Sequence, residues 1–252
     1  MKSIGLCMIV KNESHVIARC LDSVRPLVDY VLIEDTGSSD GTQELVRNWL
    51  REHDVAGEVI EEPWLDFGYN RSHALAALRQ VEAIDYALII DADSALVVDQ
   101  GFDAAKFKSE LSEDFYDFEI RNGAARFLRT QLCSNRLPFC FKGVLHEYLK
   151  APPDNPRRGL AQGLYVEDGR DGARNKNPHK YQDDAALLER ALLTETDPLL
   201  VSRYTFYLAQ SYRDCGEKQK ALTNYLKRAE QGRWTEEVYF SLYQAAKLKA
   251  QL

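Results

Sequence analysis

Four short apolar runs, each followed by a polar loop, punctuate the first 93 residues, and three stretches with helical spacing lie between them. Residues 3–10, SIGLCMIV, read as a strand buried on both faces, because the run offers no polar face to water. In KNESHVIARCLDSV the residues Val16, Ile17, Cys20, Leu21 and Val24 share one helical face, with Asn12 or Ser14 placed to cap it. A second strand spans Tyr30 to Ile33, and Ser39 or Asp40 precedes the helix TQELVRNWLREH. GEVIEEPW gives a third strand, RSHALAALRQVEA a third helix, and YALIID a fourth strand. Strands alternating with helices predict a parallel sheet with right-handed crossovers. Ligands of such sheets sit beyond the carboxyl ends of the strands. The loops falling there are KNES, EDTGSSDGT, WLDFGYNRSH and DADS, all rich in polar groups.

From about residue 103 to 170 the pattern changes to short strands, FYDFEI, ARFLRTQL and FCFKGVLHEYL, with APPDNPRRG as a turn. Beyond residue 180 the chain reads as helices. There Ala209, Tyr212, Gly216, Ala221, Tyr225 and Ala229 fall near the tetratricopeptide spacing. One repeat and a fragment do not make a free-standing solenoid. The predicted organisation is therefore a domain over residues 1–178 and a helical extension over 179–252.

The net charge of −7 excludes non-specific attraction to nucleic acid. The N-terminal apolar stretch is too short for a signal segment, and no apolar run reaches the length of a membrane span. A cytoplasmic protein is expected, with peripheral contact as the one membrane association open to it. Cys7, Cys20, Cys133, Cys140 and Cys215 are scattered, which reads as reduced thiols; Cys133 and Cys140 lack further ligands nearby for a metal.

The stretch YALIIDADSAL runs from a strand into two carboxylates, Asp91 and Asp93. If the strand continues, alternation puts both on one face. Two adjacent carboxylates repel unless a cation or hydrogen bonds stabilise them. Oxygen ligands at this density suit Mg²⁺ or Mn²⁺, which share their coordination with substrate phosphates. The nucleophilic aspartate pair of a phosphatase needs Thr or Val where Ala95 stands, and it follows the first strand.

CMIVKNE at 7–13, DTGSSDGT at 35–42, FGYNR at 67–71 and DAD at 91–93, in this order, resemble family 2 glycosyltransferases of the GT-A fold. GVLHEYL at 143–149 and the tetratricopeptide-like tail extend the resemblance over most of the chain. It implies an α/β, Rossmann-like, mainly parallel sheet plus a C-terminal helical extension. It also implies a metal-dependent, inverting transfer of a sugar from a UDP- or GDP-linked donor to a hydroxyl, in surface polysaccharide or glycan biosynthesis. The acceptor would be a glycan, a lipid-linked glycan or a protein.

On that resemblance Asp35 and its loop would hold the base and ribose, with Thr36 where many members carry a second aspartate. Backbone near Met8 and Val10, with Glu13, would line the nucleotide floor, and Ala92 would border the donor. Glu34 is an extra acid at the strand end. Arg71 would reach the base or a phosphate, as its fork of donors suits a buried anion. Asp91 would meet ribose or metal-bound water, and Asp93 would bind Mn²⁺ or Mg²⁺ with His146. Glu147 is the first candidate for the general base and Asp168 the second. In a regular strand His146 and Glu147 point to opposite faces, so sharing a pocket requires a kink. Trp64, Phe67 and Tyr69 are placed to wall the nucleotide or the acceptor. Arg170, Arg174, Lys176 and Lys180 form a basic stretch able to close over a diphosphate.

A nucleotidyltransferase would carry a Gly-rich phosphate loop where KNES stands, and a dinucleotide oxidoreductase would carry GxGxxG there. The reading from another class is an interaction protein, with a degenerate transferase domain serving the tail. Asp91, Asp93 and Arg71 weigh against it, since a scaffold has no use for them.

Overall fold

The structure is a computed structural model that describes residues 1–152 and 155–252. The four apolar runs form β1 (Ile4–Val10), β2 (Tyr30–Asp35), β3 (Ala56–Glu61) and β4 (Tyr86–Ile89). Between them lie α1 (Ile17–Val24), α2 (Thr42–Glu52) and α3 (Phe67–Arg79). β1 pairs in parallel with β2 on one side and β4 on the other, and β3 pairs in parallel with β2. Both faces of β1 are buried, as its unbroken apolar run requires. Ile4, Leu6, Met8 and Val10 join the cluster containing α1 residues Ile17, Cys20, Leu21 and Val24. Cys7 packs with Ala74, Leu75 and Leu78 of α3. Each such fully buried aliphatic side chain contributes roughly 1.5–3 kcal/mol.

The expected helix caps are not observed. Asn12 has φ 58°, and its side chain accepts from Ser39 N–H at 2.8 Å. Ser14 N–H donates to Asp40, and α1 starts at Ile17 with no side-chain cap. These residues instead tie the two loops after β1 and β2 together. Gly41, with φ 85°, occupies the N-cap position of α2, while Asp40 accepts from Thr42 N–H two residues on. α3 starts four residues before the predicted Arg71, because Asp66 caps it by accepting from Tyr69 N–H at 2.8 Å. Arg71 therefore lies inside the helix.

The second half of this unit adds β5 (Ala95–Val98), α4 (Ala104–Glu110), β6 (Phe115–Asn122), β7 (Ala125–Ser134), β8 (Cys140–Lys142), β9 (Tyr148–Lys150) and β10 (Arg158–Glu167). The large sheet runs β3-β2-β1-β4-β7-β6-β10-β5. The β4–β7, β6–β7 and β10–β5 pairs are antiparallel, and β10–β6 is parallel. FCFKGVLHEYL is not one strand: β8 and β9 pair with each other and the chain bends between them, with Gly143 at φ 106° and His146 at φ 53°. In the APPDNPRRG turn, Pro153 and Asp154 lie outside the described residues.

The chain divides into two compact units, Met1–Lys142 with Tyr148–Lys176, and Gly143–Glu147 with Asn177–Leu252. The second contains α5 (Lys180–Leu192), α6 (Pro198–Asp214), α7 (Lys218–Glu230) and α8 (Thr235–Lys249). Gly216, at φ 86°, follows α6 in a helix–turn–helix whose Ala209, Tyr212, Ala221 and Tyr225 are buried. Arg228 is buried too, and its guanidinium meets Glu237 at 2.9 Å.

Candidate active site

β1 has β2 on one side and β4 on the other, so the direction of winding reverses at β1 and a crevice opens beyond its carboxyl end. The loops there carry Glu13, Asp35, Asp91 and Asp93. Asp35 ends β2 and is almost wholly buried. Its Oδ1 accepts from Gly37 N–H, Ser38 N–H and the Gln43 amide at 2.7–3.0 Å. Burial pushes its pKa up, but the bonds from Ser38, Gln43 and Gly37 outweigh it and hold the carboxylate below its ordinary range. Its Oδ2 is buried without a hydrogen-bond partner. Thr36 donates twice to the Val10 carbonyl, through N–H at 2.9 Å and Oγ1 at 3.0 Å. Met8 is a core side chain.

Asp91 and Asp93 do not continue the strand. β4 ends at Ile89, and Ser94 N–H closes a turn onto the Asp91 carbonyl at 3.0 Å. The expected strand alternation therefore fails here, and the two carboxylates meet different partners. Asp91 takes the guanidinium of Arg71 at 2.6 Å. Burial raises its pKa, yet Arg71 and Arg129 more than offset this and lower it overall. Among the described residues no ion pair reaches the Asp93 carboxylate, and Arg19 meets only its carbonyl. Burial, then the neighbouring Asp91 and Asp168, push it above the ordinary carboxylate value, with Gly172 N–H at 3.2 Å opposing. Glu13 is also raised, first by burial, and accepts from Ala173 N–H at 3.2 Å.

The segment after β10 covers this turn. Asp171 forms a two-pronged ion pair with Arg19, whose Nη2 also donates to the Asp93 carbonyl at 2.7 Å. His15 Nε2–H donates to the Asp171 carbonyl at 2.8 Å. The approach is so close that a Cβ on Gly169 would stand 1.8 Å from the Asp93 carbonyl oxygen. Asp168 is held by the Asn122 amide at 2.9 Å and Ser94 Oγ at 3.3 Å, with Arg129 at 3.8 Å.

Glu34 points to the α3 side, where it is fully buried and bonded to Asn70 at 2.9 Å and His73 at 2.7 Å. His73 thus fixes α3 to β2. Trp64 packs edge-on against Phe67, and Arg174 stacks over Phe67 at 4.6 Å. Tyr69 donates to Glu62 at 2.8 Å. Arg170 is exposed.

His146 and Glu147 belong to the helical unit. The His146 ring stacks on Tyr207 at 3.7 Å, and its carbonyl accepts from Arg203 Nε–H at 2.7 Å. The bend supplies the kink that these two neighbours need to escape strand alternation. Among the described residues, no three His, Cys, Asp or Glu side chains gather closely enough to hold an ion alone. No helix among them is long and apolar enough to cross a membrane. Cys7, Cys20 and Cys133 are buried free thiols.

Residues 6–120, from β1 into β6, match the family model Glycosyl transferase family 2. A TPR repeat-containing protein of Synechococcus elongatus is 33% identical over 100 residues, 39% of this chain and 22% of its own length. An uncharacterized glycosyltransferase of Rickettsia prowazekii is 34% identical over 96 residues, 38% of this chain and 30% of its own. The chain thus matches less than a third of these relatives' length. S. aureus TarS 1–349 in complex with UDP-GlcNAc superposes over 98% of this chain and 89% of its own, with TM-score 0.55 and 14% identity. That likeness is one of fold, and the fold is GT-A.

Proposed function

We propose that this chain is an inverting glycosyltransferase that moves a sugar from a UDP- or GDP-linked donor to an acceptor hydroxyl. The observation that carries the reading is the Asp93 carboxylate, partly buried near Asp91 and Asp168 and bonded to Gly172 N–H, in the crevice beyond β1 and β4. A divalent cation fits this donor set. Asp93 would hold Mn²⁺ or Mg²⁺, and the donor's phosphates would complete the coordination that the protein leaves unfilled. When bound, the ion neutralises charge on the departing diphosphate.

The chain's own residues do the rest. Asp35, whose Oδ2 has no partner among the described residues, receives an N–H of the base. Thr36, Ala92, Glu13 and the backbone near Met8 and Val10 frame the donor. Arg71 fixes Asp91 toward the ribose. Asp168 shares the compact unit of Asp93 and is held at both oxygens, so it is preferred over Glu147 as the base that takes the acceptor proton. Arg174, which stacks over Phe67, would meet the donor phosphates.

The test is thermal stability against UDP- and GDP-sugars, each with and without Mn²⁺. A donor at a hundred times its Kd adds about 2.7 kcal/mol to the folded state. The expected result is a melting-temperature rise for one nucleotide class that requires Mn²⁺ and is lost in Asp93→Ala. No rise with any donor would sink the transferase reading and favour a non-catalytic interaction protein.

A further inference from the structure

β7 pairs with β4 only through Leu132, Cys133 and Ser134, and β4 stops at Ile89. Because that pairing is antiparallel, Ala125–Thr130 overshoots the carboxyl end of β4, toward the loops that carry the carboxylates. The distal β6–β7 hairpin thus stands beside the site rather than within the sheet. Its register sorts the side chains. Phe127 lies opposite Ile120 and Arg129 opposite Phe118, so Phe127, Arg129 and Asn122 share one face. Leu128, opposite Glu119, and Arg126, opposite Arg121, share the other.

The first face carries the two residues that reach Asp168, the Asn122 amide at 2.9 Å and Arg129 at 3.8 Å. Arg129 Nε is buried without a hydrogen-bond partner. Beside them Phe127 is 46% exposed, a large apolar area in contact with water. An aromatic face flanked by an amide, a guanidinium and a carboxylate matches a sugar ring, which offers C–H bonds on its faces and hydroxyls around its rim. A lipid surface is the poorer match, because the hairpin's arginines are already engaged: Arg121 and Arg126 with Glu119, Arg129 with Asp168.

We infer that the overshooting hairpin is the acceptor platform, that Phe127 stacks on a pyranose ring of the acceptor, and that the acceptor is therefore a carbohydrate. This rests on the transferase reading of the same crevice. In the step itself an acceptor hydroxyl oxygen bonds to the donor's anomeric carbon, the bond to the diphosphate breaks with its electron pair, and the hydroxyl proton passes to Asp168.

The test is saturation-transfer NMR on a panel of methyl pyranosides, with Mn²⁺ and whichever of UDP or GDP raises the melting temperature present. Wild type is expected to bind at least one of them. Phe127→Ala should weaken that binding by about tenfold, while Phe127→Trp keeps it and Leu128→Ala, on the opposite face, leaves it unchanged. Unaltered binding in Phe127→Ala, or no pyranoside bound while UDP or GDP with Mn²⁺ still raises the melting temperature, overturns the platform alone. If neither UDP nor GDP with Mn²⁺ gives a rise, the transferase reading falls and takes the platform with it. Co-sedimentation of wild type with phosphatidylglycerol vesicles, lost equally in Phe127→Ala and Leu128→Ala, replaces the sugar with a membrane surface.

Discussion

The two halves of the eight-stranded sheet are built differently. β3, β2, β1 and β4 are all parallel, linked by amphipathic helices, and their loops arrive one after another along the chain. β7, β6, β10 and β5 mix directions, and their contribution to the crevice comes from residues far apart in sequence. The first half places the groups proposed to hold the donor. The second half places Asp168 and the proposed acceptor face. Binding and transfer should therefore be separable by mutating one half or the other.

The largest expected effect lies in the mixed half. Asp168→Asn should cut transfer by about a thousandfold while the donor-induced rise in melting temperature persists. Glu147→Gln should have the smaller effect on turnover, and a reversed ranking would return the base to Glu147. Gly169→Ala comes next. Its Cβ would press on the Asp93 backbone, so the chain must shift, at a cost of about 3 kcal/mol read by urea unfolding.

In the parallel half, Arg71→Ala leaves the partly buried Asp91 without its cation. We expect about 2 kcal/mol of destabilisation together with loss of the donor-induced rise. Retained donor binding would show that the parallel half does not hold the nucleotide. The smallest effect concerns the segment joining the halves. The Arg19 hydrogen bond lowers Asp171 from 3.8 to about 2. A depressed carboxyl contributes stability above its unfolded value, which is lost as the pH falls through the folded one. Wild type should therefore be slightly more stable than Asp171→Asn at neutral pH. The difference should fade between pH 4 and pH 2, as followed by circular dichroism.

The same contrast explains what could be seen in the sequence. Parallel strands buried on both faces read as unbroken apolar runs, so β1, β2 and β4 were legible, as were the loops after them. Strand alternation misled at Asp91 and Asp93, because a turn begins where the apolar run ends. The cap assignments failed because Asn12 and Asp40 satisfy the neighbouring loops. β10 was not anticipated: Gly159 and Gly163 interrupt its pattern, and its register shifts between Leu160 and Tyr165. Asn122, Arg129 and Arg19 carried no local signal, since only the register of β6 and β7 and the path of the 168–176 segment bring them to the carboxylates. The glycines of VEDGRDG were the one available hint of that close approach.

The allotment of Gly143–Glu147 to the helical unit has a consequence for any attempt to take the molecule apart. The chain crosses between the units three times, after Lys142, Glu147 and Lys176. A cut at the last crossing leaves five residues of the helical unit behind, among them Leu145, buried in the intact chain. The fragment 177–252 loses Val144 N–H as the partner of the Tyr204 hydroxyl, and loses the ring that covers Tyr207. Neither piece is a complete folding unit, so gene truncation at this boundary should yield two fragments that recover stability only when mixed.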